Sequence, residues 1–245
     1  MVTKSVEHLV NENFVYAKVL DYFGVKFYEE RNKPLSQVCE ENGINPDHLI
    51  KVLEKSQSRK SSEYLNLRDY PIRLIVEYLK HSHQIFIKDN LPYLLKKIDE
   101  LDSDHANEKA HDLKVVLPMF VEDFIHHIYE EEDRFFTYVC ELENALKKQK
   151  VDARFLSTID TFSIQEFALH HNDSDNEMKG IRGITDHYDT EAIKDPRLAV
   201  VIKELKKFDH ELTLHANIEN DILFPKALKL EKQVRAMLAQ KTGLN

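Results

Sequence analysis

Two short stretches set a histidine and a glutamate four residues apart in strongly apolar surroundings. HHIYEEEDRFF carries His127 and Glu131, and LHANIENDILFP carries His215 and Glu219. Residues four apart share a helix face, so each pair offers an imidazole and a carboxylate to one point. Buried without partners, such groups cost several kcal/mol each, and two carboxylates placed together cost more. A cation removes that cost. Nitrogen and oxygen ligands without thiolate suit iron, manganese or zinc. Repeated His and Glu donors with shared carboxylates suit two metal ions, a layout related to di-iron sites inside four-helix bundles.

The elements that must position these residues are legible in the apolar spacing. Leu113, Leu117, Phe120, Phe124, Phe135, Tyr138 and Leu142 advance by threes and fours, and His127 and Glu131 fall in the gap of that stripe. Val201, Leu205, Phe208 and Leu212 lead in the same way to His215 and Glu219, after which Ile222 and Leu223 resume the stripe. Two further patterns each carry one interruption. Ile75, Leu79, Ile87 and Leu91 enclose His83, while Ile164, Phe167, Met178 and Ile181 enclose His171. His83, His127, His171 and His215 succeed one another at intervals of 44 residues. In an up-and-down bundle with loops midway between them, equal intervals put all four at one height. The candidate metal ligands are therefore His83, His127, Glu131, His171, His215 and Glu219. His81 competes with His83, but the stripe favours His83. His126 and His170 point off the stripe, and the run Glu130 to Asp133 reads as a solvated face apart from Glu131. Asp123 and Glu211, each four before an inward histidine, are either neighbours of the metals or surface charge. Tyr78, Phe86, Phe124 and Phe167 are candidates for an apolar shell.

Composition agrees with long helices: in 245 residues there are five glycines, seven prolines and no tryptophan, while 31% are charged. The expected class is all-α, an up-and-down four-helix bundle at 71–235 preceded by a small helical domain at 1–57. Asn45 followed by Pro46 has the form of a helix start, and Gly43 suits the end of the helix before it. The polar stretch at 58–70 reads as a linker in which Asp69 and Pro71 begin a new helix, and 236–245 as a tail. LDSDHANE, KKQKVDAR and residues 183–196 separate the four patterns. A net charge of −9 argues against nucleic acid as a partner. No apolar run reaches the roughly 20 residues that span a bilayer, and the first residues lack the form of a secretory signal. A cytoplasmic protein without membrane attachment is expected. Cys39 and Cys140 form neither a CxxC pair nor a disulfide framework and read as buried free thiols.

The motif of a single histidine, HxxxEE, a second single histidine and HxxxEN-x-x-LFP resembles the hemerythrin-like domain of the repair-of-iron-centres proteins. Here it is carried by His83, by His127 with Glu131 and Glu132, by His171, and by His215 with Glu219 and the adjoining NDILFP. The segment VLDYFGVKFYEERNKPLSQVCEENGI resembles the small domain that precedes it in that family. The resemblance implies a non-haem centre of two iron ions held by the six residues named above. It also implies a stress-response role in restoring iron–sulfur clusters damaged by nitric oxide or oxidants. Its partners would be a small diatomic ligand, nitric oxide or dioxygen, and iron–sulfur proteins. Two departures stand out. The family's adjacent cysteines are replaced here by Tyr28, Glu29, Glu30 and Arg31 after Phe27, so thiol chemistry assigned to that pair is absent. An ungapped match also sets the family's first histidine opposite Gln84, so His83 requires a one-residue shift. The alternative is a hemerythrin-type dioxygen carrier or sensor. Such carriers have HxxxH and HxxxxD on the last two helices, where this chain has Asp175 and Asn220.

Overall fold

Helices make up the regular structure of the computed structural model, which describes residues 1–12, 15–27, 29–57, 68, 70–101, 108–174 and 178–242. Among the described residues no strand forms, and the pairing of Ser5 with Pro34 is an isolated bridge. The all-α class is as expected. No helix among the described residues is long and apolar enough to cross a membrane.

The chain divides into two compact units. The first comprises Met1–Leu65, Tyr93–Lys114 and Ile184–Phe208. Its opening helices are α1 (Val6–Glu12), α2 (Val15–Tyr22), α3 (Leu35–Glu41) and α4 (Pro46–Gln57). Leu35, Val38 and Cys39 supply the inward stripe of α3, and Leu49 and Leu53 that of α4; all are buried, together with Val6, Leu9, Tyr16 and Leu20. Val200 packs into the same cluster. The start of α4 has the expected chemistry: the Asn45 side-chain oxygen accepts the His48 amide at 3.1 Å, with Pro46 at the first helical position. Gly43 takes a left-handed φ of 64°, which lets the Ile44 amide turn back onto the Cys39 carbonyl at 2.8 Å. Both cysteines are free; Cys39 is buried, whereas Cys140 is only half-buried. Burial pushes both thiols above the ordinary range.

The second unit comprises Asn66–Pro92, Val115–Gly183 and Asp209–Asn245. The expected linker falls almost wholly outside the described residues, Asp69 included. Helix α5 (Ile72–Ile85) begins directly after Pro71. Among the described residues, three helices each contain one widened π turn. The first joins α5 to α6 (Leu91–Asp99) through Phe86–Asn90; the second joins α7 (Glu108–Glu130) to α8 (Thr137–Lys148) through Glu131–Phe136. The third joins α12 (Pro196–Ile218) to α13 (Phe224–Thr242) through Glu219–Leu223. Two of these turns run into a proline, Pro92 or Pro225. Proline has no amide to continue the ladder and its ring repels the carbonyl four residues back, so a wider turn relieves both. In the remaining turn the Thr137 hydroxyl donates to the Glu132 carbonyl at 3.0 Å.

The third expected helix is broken. The described residues between 153 and 184 include α9 (Ala153–Thr161), α10 (Ile164–Ser174) and α11 (Lys179–Ile184). Asp152 caps α9 by accepting the Phe155 amide at 2.8 Å. Phe162 is extended, and Ser163 caps α10 through its hydroxyl on the Glu166 amide. The Ser163 cap thus sets the start of α10 at Ile164, the first apolar position of the pattern read from the sequence. Phe135, Tyr138, Leu142, Ile75, Leu79 and Val234 lie in one buried cluster with Phe224 and Ala227, so α5, α8 and α13 share this core.

Candidate metal centre

Each donor is set in place by the apolar residues one turn away. Leu79 and Phe86 anchor α5 on either side of His83, and Phe135 and Phe136 anchor the π turn that opens with Glu131; all four are buried. Leu223 and Phe224 do the same beyond Glu219. His83, Glu131, His215 and Glu219 come together, each offering one ligand atom within 4.8 Å of the others. His83, Glu131 and Glu219 are each 1% exposed and His215 is 8% exposed.

The contacts are those of converging donors. His83 Nε2 lies 3.0 Å from His215 Nε2 and 3.2 Å from Glu131 Oε2. The other Glu131 oxygen lies 2.9 Å from His127 Nε2, so this carboxylate faces two imidazoles with different oxygens. Glu219 Oε1 is 3.4 Å from His215 Nε2. His127 is half-buried, its side chain 20% exposed. His171 sits on α10, and its side chain lies outside the described residues. Of the six predicted residues the structure therefore brings together five, four of them as a buried group.

Several neighbours are as expected and others differ. His81 and Gln84 are exposed while His83 is buried, so His83 supplies the inward imidazole of α5. Asp123 is exposed. Glu211 is half-buried and accepts the Asn90 side-chain amide at 2.8 Å. Phe86 presents its edge to His215 at 5.6 Å, and Phe124 stacks beside His127. Tyr78 and Phe167 pack against the core cluster, with Phe167 stacked on Phe135. Phe136 was not anticipated; its ring lies parallel to His83 at 5.6 Å.

Glu132 is the main correction. Read from sequence as part of a solvated face, it accepts the Nδ1–H of His83 at 2.8 Å and is only 28% exposed. A regular helix would turn residue 132 away from 131. Glu132 lies on the flank of its helix that meets His83 of α5, and the adjacent glutamates are the signal the sequence offered.

The electrostatics result from this crowding. Burial alone would lower the His83 pKa, but the hydrogen bond and charge of Glu131, the hydrogen bond of Glu132 and the charge of Glu219 outweigh it. The net direction is upward from 6.5. With Nδ1 bonded to Glu132, His83 Nε2 meets an imidazole nitrogen and a carboxylate oxygen that both offer lone pairs. A proton can serve that place; so can a cation, which all four donors fit in chemistry and spacing.

No protein-family model matches the chain. The chain is similar to an iron–sulfur cluster repair protein, YtfE, of Musicola paradisiaca (strain Ech703). The two are 21% identical over 168 residues, which cover 68% of this chain and 70% of that protein.

Proposed function

We propose that the chain holds two iron ions in a hemerythrin-like four-helix arrangement and serves in the cytoplasm to restore iron–sulfur clusters damaged by nitric oxide or oxidants. The observation that carries this reading is the buried group of His83, Glu131, His215 and Glu219, a donor set that is costly to bury without positive charge. The similarity to an iron–sulfur cluster repair protein supports iron as the metal and repair as the role.

His83 and His215 would hold one ion and His127 and His171 the other, with Glu131 and Glu219 available to both. Glu131 suits a shared position because its two oxygens face different histidines. When bound, the ions supply redox chemistry and exchangeable coordination positions for a small diatomic ligand such as nitric oxide or dioxygen. The protein contributes the rest: Glu131 and Glu219 offset the positive charge, His83 and His215 hold their Nε2 lone pairs inward, and Phe86, Phe124 and Phe136 exclude water. The substrates are iron–sulfur proteins with damaged clusters.

The test is anaerobic reconstitution with ferrous iron, then incubation with an iron–sulfur enzyme inactivated by nitric oxide. Two irons per chain and recovery of the enzyme's activity are expected, with recovery lost in Glu131→Ala. Fewer than one iron per chain would overturn the metal reading. Full loading without recovery would overturn the repair role.

A further inference from the structure

We infer that Glu132 is a positioning residue that makes the two cation places unequal, so that the place served by His83 and His215 fills first and empties last. This rests on the two-metal reading above. A histidine ligates through one ring nitrogen, and the partner of the other nitrogen decides which one is free to do so. His83 donates Nδ1–H to Glu132 at 2.8 Å, which leaves Nε2 aimed at His215 Nε2 and Glu131. The ring is further held by the parallel Phe136 ring. Orientation is thus fixed on one edge by a carboxylate and on one face by an aromatic.

The two repeats differ at this position. The residue directly after the glutamate is Glu132 in the first HxxxE repeat and Asn220 in the second, so a carboxylate stands at this position once only. Exposure points the same way: the His83 side chain is 1% exposed against 20% for His127. A negatively charged acceptor raises the basicity of the ligand it backs, and burial slows exchange with water. Glu132, at 28% exposure, reaches from the edge of the buried group towards solvent and leaves the donor set itself closed.

The experiment is stepwise anaerobic titration of the metal-free full chain with ferrous iron, repeated with zinc as a diamagnetic probe. The wild type should bind two ions in resolved steps. Glu132→Ala should weaken the first step by about 10–100-fold and leave the second nearly unchanged; Glu132→Gln, which keeps an acceptor oxygen, should recover part of the loss. In the zinc-loaded wild type, long-range proton–nitrogen spectra should show the His83 proton on Nδ1, protected from exchange, with protection lost in Glu132→Ala. A purely structural role would not move that signal selectively. Equal affinities for wild type and Glu132→Ala would overturn the inference, as would an equal loss in both steps accompanied by a lower melting temperature. A wild type that binds no ion would instead sink the metal reading.

Discussion

The two HxxxE repeats have the same lettering and different surroundings. In both, the glutamate opens a π turn one helical turn after the histidine. In the first, Glu131 stands between two histidines, and Glu132 and Phe136 reach across to fix His83. In the second, Glu219 faces its own His215, whose ring meets the edge of Phe86. The first repeat thus meets His83 through two carboxylates and an aromatic ring, and the second meets it through the His215 imidazole. Equal motifs need not contribute equally to a site, because the residues just beyond the glutamate set how far each one reaches.

The sharpest way to break this comparison is to remove the carboxylates. Glu131→Ala should leave less than one iron per chain after reconstitution, and Glu219→Ala should lose less, as measured by metal analysis. Equal losses would mean the repeats are equivalent. Next come the histidines. His215→Ala should abolish the tighter binding step and His127→Ala the weaker one, so only His127→Ala should retain an ion through gel filtration. Phe136→Ala should destabilise the metal-free protein by about 3–5 kcal/mol, as expected for a buried phenylalanine, and Phe224→Ala by a similar amount. Only Phe136→Ala should also disturb His83, visible in its ring nitrogen shifts.

A subtler effect concerns pH. Because the His83 pKa is raised above 6.5, its pairing stabilises the metal-free fold fully below that pH and is lost as pH climbs through the raised value. Binding a cation must displace the same proton, so ferrous affinity should increase with pH over that window. A flat pH profile of metal-free stability in Glu131→Ala would trace the effect to the first repeat. The smallest effect serves as a control far along the chain: Asn45→Ala removes a cap and should cost about 1 kcal/mol in chemical denaturation without changing iron stoichiometry.

The all-α class, the caps at Asn45 and Gly43 and the inward placing of His83 over His81 were all legible from residue type and spacing. Those features depend on local periodicity, which sequence records directly. The separate helix α9 ahead of the third pattern was not, because its start at Asp152 falls inside the stretch KKQKVDAR that reads as a loop. Glu132 was hidden because it sits beside the inward stripe and its partner, His83, lies on another helix. Phe136 was read as neither ligand nor shell because its partner lies on another helix, 53 positions earlier in the chain at His83. The side chain of His171 lies outside the described residues, so the interval of 44 remains the argument for it.

The widened turns have a consequence for anyone who aligns or redesigns this chain. Such a turn houses roughly one residue more than an α-helical turn, so closing it up would rotate everything beyond it by about 100°. A single-residue deletion between Asn220 and Leu223 would offset that rotation and keep Phe224, Ala227 and Val234 on the oily interior they now fill, whereas closing the turn with every residue retained would swing them out.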